Sequence, residues 1–144
     1  MTITFTKNKY LHLGASAFIV ILVGLAYGVN PSCVLPKLFD FKVESTDLSN
    51  SFRSIMGLYF GMAAYWIIGI IKHEAWKGAT LSNILFMGGL VFGRIISMVI
   101  DGIPSNTYLF GLIAEVFAMI WGIYNLGYLP FNKNQHLFWT RDIK

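Results

Sequence analysis

Charge and cysteine are what this sequence is short of. Its one cysteine, Cys33, excludes an intramolecular disulfide. No grouping of Cys and His has the spacing of a zinc site either. Charged residues make up 12% of the chain, about half the share usual in soluble domains. The formal charge of +4 is scattered in small groups rather than gathered in a patch, which argues against nucleic-acid binding. There is no nucleophile elbow and no phosphate-cradling glycine loop before a lysine. Gly88, Gly89 and Gly93 follow no strand, so a dinucleotide fold is excluded as well. No cofactor and no metal are expected.

What the chain does have is apolar length. It is 56% hydrophobic, with 12 Phe, 7 Tyr and 4 Trp in 144 residues, and its mean hydropathy is +0.61. Four runs, 10–29, 50–71, 81–100 and 106–129, each approach or exceed the ~20 residues that cross a bilayer as a helix. The expectation is a single integral membrane domain over 1–144: all-α, a four-helix transmembrane bundle. Ala26-Tyr27-Gly28 has the small residues of a signal-peptidase site. The first run is nevertheless longer than the roughly 7–15 residues of a signal core, so it is read as a retained helix. Asn30-Pro31 should end it, because the residue before a proline leaves the α region. The longest connection follows, with a short interfacial turn expected near Leu38-Phe39. Asp47 or Ser49 is the expected cap of the second span. Asp101-Gly102-Ile103-Pro104-Ser105 closes the third.

Orientation follows from the basic flanks. Lys7, Lys9, Lys72, Lys77, Lys133, Arg141 and Lys144 fall on one side, and only Lys37 and Lys42 on the other. Both termini are therefore expected on the cytoplasmic side, N-in/C-in. Tyr10, Trp76, Tyr128 and Trp139 would mark the inner interface and Tyr108 the outer one.

The spans carry a few ionised groups, and each costs on the order of 3 kcal/mol at the centre of a bilayer. Arg94 and Asp101 lie seven residues apart on the third span, on nearly one face and about 10 Å apart along the axis. Glu115 is about 13 Å into the fourth span by the rise per residue. Arg53 is within a turn or so of the same surface. These four are expected to converge in the outer half, with Asn50, Tyr59 and Ser97 completing the hydrogen bonds. Such a cluster is either an internal staple or a pocket that meets a polar headgroup. Asp101 and Glu115 are the only acid/base candidates, which makes an intramembrane enzyme the weakest reading.

Small residues recur at steps of three and four on every span: Gly24/Gly28, Gly57/Gly61, Gly89/Gly93, and Gly111 through Ala118 to Gly122. Such stripes are packing seams in lipid, and here they share faces with the charges, so they are expected to point inward. His12 and His73 invite a bis-histidine haem reading. Their neighbours Lys9, Lys72 and Glu74 suggest solvated surface histidines instead.

Asn50-x-x-Arg53-x-x-x-Gly57-Leu58-Tyr59-x-Gly61, Gly88-Gly89-x-x-x-Gly93-Arg94-x-x-Ser97-x-x-x-Asp101-Gly102-x-Pro104-Ser105 and Glu115 together resemble a bacterial family. Its members are small four-span membrane proteins known as domain of unknown function 4345. The resemblance implies a four-helix inner-membrane protein without an assigned activity. It also implies that Asn50, Arg53, Arg94, Ser97, Asp101 and Glu115 are the residues to test. The leading expectation is a protein that binds or passes a small amphipathic, lipid-like ligand at the polar cluster, among membrane lipids. The alternative is a non-catalytic accessory subunit, as a homo-oligomer or with a membrane protein partner. Topology is testable at Cys33: an impermeant thiol reagent should label it in intact spheroplasts, and labelling only after permeabilisation would invert the orientation.

Overall fold

The computed structural model describes residues 3–127. Over these, the chain forms five α-helices: α1 (Ile3–Gly28), α2 (Pro31–Leu38), α3 (Thr46–Ile71), α4 (Trp76–Asp101) and α5 (Asn106–Gly127). All except α2 are long and apolar enough to cross a membrane. Tyr128, Trp139, His136 and the basic tail lie outside the described residues, as do the side chains of residues 1–8.

The helix ends have local causes. Pro31 opens α2 at its first position, where a proline's missing N–H is no loss. The short turn expected near Leu38-Phe39 is in fact the end of this two-turn helix. Ser45, rather than Asp47 or Ser49, caps α3: its hydroxyl accepts from the Leu48 N–H at 3.1 Å. The extended backbone needed at a cap falls at Ser45, and the other two are already helical. A 3-10 turn, His73–Ala75, folds α3 back into α4. Gly102, at φ 96°, ends α4 in a conformation few side chains tolerate.

Two close pairings make the bundle, α1 on α3 and α4 on α5, and α3 meets α4 between them. The two end helices, α1 and α5, touch far less. The core is Leu13, Ala17, Val20, Tyr59, Ala63, Trp66, Trp76, Ala79 and Met87. Trp66 donates to Ser82 Oγ at 3.1 Å, and Trp76 donates to the Lys9 carbonyl at 3.2 Å, so the indole N–H of each is satisfied inside.

The small-residue stripes divide. Those of α1 and α5 face inward, with Gly24 against Tyr59 and Phe60, and Gly122 against Ile84. Those of α3 and α4 do not: Gly57, Gly61, Gly89 and Gly93 have nothing within 4 Å of where a Cβ would stand. The expected inward stripe is corrected because the aromatic faces of these helices, Tyr59 and Trp66 on α3 and Phe86 on α4, take the interior. The close approach of α3 to α4 is made instead at Gly69, where an added Cβ would collide with Ala79.

Gly69→Ala should therefore cost about 1–3 kcal/mol through overpacking. Gly61→Ala should be neutral or stabilising by up to about 1 kcal/mol through helix propensity. Thermal unfolding in detergent measures both, and equal effects would contradict this assignment of faces.

Candidate functional site

Along α4 the buried positions Trp76, Ala79, Thr80, Asn83, Met87 and Val91 recur at helical spacing, and Arg94 continues that line. On α5, Gly111, Glu115, Ala118 and Gly122 fall on one face. The two helices run antiparallel, so each side chain leans toward its own helix N-terminus and the two meet. Arg94 Nε donates to Glu115 Oε2 at 2.7 Å and Nη2 donates to Oε1 at 2.8 Å. This is a two-pronged, in-plane pair, the strongest geometry available to these groups. The two side chains are only 21% and 13% exposed even with no lipid around the protein. The guanidinium also lies over the Tyr108 ring, 5.3 Å from its centroid, close enough for a cation–π contact.

The pair closes one wall of a cavity of about 260 Å³ between α1, α4 and α5. Ser16, Val20, Val23 and Tyr27 of α1, Met87 and Leu90 of α4, and Ala114 and Ala118 of α5 line it, with Tyr59 entering from α3. Apart from the pair and a few hydroxyls the walls are hydrocarbon. One end is covered by aromatic rings. Phe39, just past α2, lies 4.6 Å from Tyr108 and 6.0 Å from Tyr27, centroid to centroid, and Phe41 stacks behind it on Phe52. Four liners are exposed: Leu38 and Thr107 at the end covered by the rings, and Ile19 at 50% and Phe110 at 75% beside the seam of α1 and α5. Ile19 and Phe110 give the cavity a mouth that faces sideways, along that seam.

Of the seven residues expected at a polar cluster, the structure brings Arg94, Glu115 and Tyr59 to this cavity. The other four stand apart. Asp101 is exposed at the end of α4 and accepts from Ser97 Oγ at 3.0 Å on its own helix. Arg94 leans away from it by the tilt of the Cα–Cβ bond, and its fork is committed to Glu115. Arg53 is exposed and forms no ion pair among the described residues. It lies two turns into α3, near enough to the membrane surface to snorkel. Asn50 is exposed at the start of the second turn of α3, its carbonyl taken by Ser54 Oγ at 3.0 Å. The convergence of four charges thus reduces to one pair.

Tyr27, Tyr108 and Phe39 were not singled out for this site by the sequence. Their signal was aromatic residues at the ends of spans, which also marks plain interface anchors. His12 departs further from expectation. It is fully buried, because α5 covers it: Asn125 Nδ2 lies 3.0 Å from its Nδ1, and Trp121 packs at 6.1 Å. His73 alone keeps the expected exposed place, bonded to Tyr10 Oη at 2.9 Å.

A multi-pass helical bundle holding a side-opening apolar chamber with one neutral ion pair in its wall is the class that fold and site define. The chain belongs to the family described as Domain of unknown function (DUF4345), whose profile matches residues 9–126 and so takes in every residue lining the chamber. No curated protein and no solved structure is detectably similar.

Removing one member of the pair strands the other in hydrocarbon. Arg94→Leu or Glu115→Leu alone should cost about 3–5 kcal/mol, and the double variant should recover most of that loss. Equilibrium unfolding in mixed micelles reads the cycle; a harmless Arg94→Leu would show that the pair contributes nothing to the fold.

Proposed function

We propose that the protein binds a small amphipathic, lipid-like molecule in this chamber, its apolar part between α1 and α5 and its polar end at Arg94–Glu115. The observation that carries the reading is the combination of hydrocarbon walls, a lateral mouth and a single polar wall. The volume is near the lower end of the roughly 300–1,000 Å³ usual for small-molecule sites, which favours a slender ligand over a bulky one. The pair is already neutral, so it suits a zwitterionic or uncharged hydrogen-bonding head better than a lone anion. Tyr27, Tyr59 and Tyr108 offer hydroxyls around it.

We place the protein in the bacterial inner membrane with both termini cytoplasmic. The support is the distribution of Lys and Arg: Lys72 and Lys77 flank the α3–α4 turn, and no basic residue occurs between α4 and α5. A second reading, an accessory subunit or self-associating protein, is favoured by one observation. The outward glycines of α3 and α4 leave two small-xxx-small faces open to another membrane helix.

Ala114→Trp fills the chamber while leaving the pair in place. Extracted into native nanodiscs and examined by lipid mass spectrometry, the wild-type chain should retain a stoichiometric amphipathic molecule and Ala114→Trp should lose it. Equal retention by both, or none by the wild type, would dispose of the chamber as a binding site.

A further inference from the structure

One helical turn beyond the chamber floor, formed by Ser16, Met87 and Ala118, the interior turns polar again. His12, Thr80 and Asn83 are each 0% exposed. Four of their atoms, His12 Nε2, Thr80 Oγ1 and both amide atoms of Asn83, find no hydrogen-bond partner among the described residues. Thr80 and Asn83 are three apart on the inward face of α4. Asn83 Oδ1 lies 3.6 Å from where a Cβ on Gly122 would stand, and Asn125, one turn along α5, reaches His12 at 3.0 Å. Trp76, one turn before Thr80, is tied to the Lys9 carbonyl, one turn before His12. These contacts set α1, α4 and α5 in one register, and the three side chains occupy neighbouring levels of the same interior.

The His12 ring makes the orphaned atoms hard to satisfy from within. Its Nδ1 lies 3.1 Å from the Lys9 carbonyl and 3.0 Å from Asn125 Nδ2. With a proton on Nδ1 the ring donates to the carbonyl, and Nε2 is left as an acceptor. Without one it accepts from Asn125, and Nε2 is left as a donor. In both tautomers Nε2 needs a partner that these residues do not supply. A buried polar group with no partner costs about 1–3 kcal/mol, and at 0% exposure the three side chains are closed off from bulk water that could relieve it.

We propose that His12, Thr80 and Asn83 enclose a hydrated site that holds ordered water beneath the chamber. At roughly three hydrogen bonds per buried water, four unmet atoms call for about one or two molecules. Water answers all of them because it donates to one group while accepting from another, as no single cation or anion does. The site is independent of whatever the chamber binds.

Isotope-labelled native protein in nanodiscs, read by water-edited solid-state NMR, tests this directly. Water magnetisation should reach the His12 ring and the Asn83 amide rapidly. Thr80→Val, which keeps the shape and removes one partner, should weaken that transfer and lower the melting temperature. A site that receives no transfer, while exposed Lys72 does, overturns the proposal. So does a Thr80→Val melting temperature that is unchanged or raised, since deleting an unpaired hydroxyl from a dry interior relieves a penalty.

Discussion

An arginine in hydrocarbon needs an opposite charge within reach, and that need organises one side of this molecule. Glu115 meets it through two short hydrogen bonds, and the geometry fixes how α4 and α5 face each other, in register and in rotation. In a medium of low dielectric such a pair is held by both attraction and the cost of separating its members. The aromatic side chains at that end of the chamber gather about it: the Tyr108 ring beneath the guanidinium, Tyr27 and Tyr59 in the cavity wall, and Phe39 packed against Tyr108.

The other side of the bundle relies on shape. α1 and α3 interlock through Gly24 and Gly28 against aromatic and methionine side chains, and Gly69 lets α3 reach Ala79 of α4. The bundle is thus two close pairs, α1–α3 joined by shape and α4–α5 by the ion pair as well as by Gly122 against Ile84. The chamber lies where the pairs fail to close on each other.

Much of this was legible in the residues. Apolar runs of membrane length, broken at Asn30-Pro31 and at Gly102-Ile103-Pro104, gave four spans whose limits moved by only a few residues. Arg94 and Glu115 were legible as members of one cluster because their depths, counted down the two arms from the turn at residues 102–105, nearly coincide. Asp101 was not separable from them, since helical phase puts it on Arg94's face and only the lean of the side chains keeps them apart. The outward glycines were misjudged because a stripe of small residues has no sign: it marks a seam or a bare face, and the bulk of Tyr59, Trp66 and Phe86 decided which. His12 was hidden by its neighbour. Lys9 suggested a wet surface, yet Lys9 is itself only 8% exposed, its ammonium resting over the rings of Tyr10 and Trp76.

The seams that α1 makes with α5 and with α4 have a mechanical property that the others lack. α1 is strapped to α3 through α2, α3 to α4 by the turn at residues 72–75, and α4 to α5 by residues 102–105. No loop joins the first helix to the last. Parting them stretches no connection and breaks only side-chain contacts such as His12–Asn125 and Phe39–Tyr108, and the chamber lies along that line. Opening along this line would swing the α1–α3 pair from the α4–α5 pair about the α3–α4 contact and leave each pair whole.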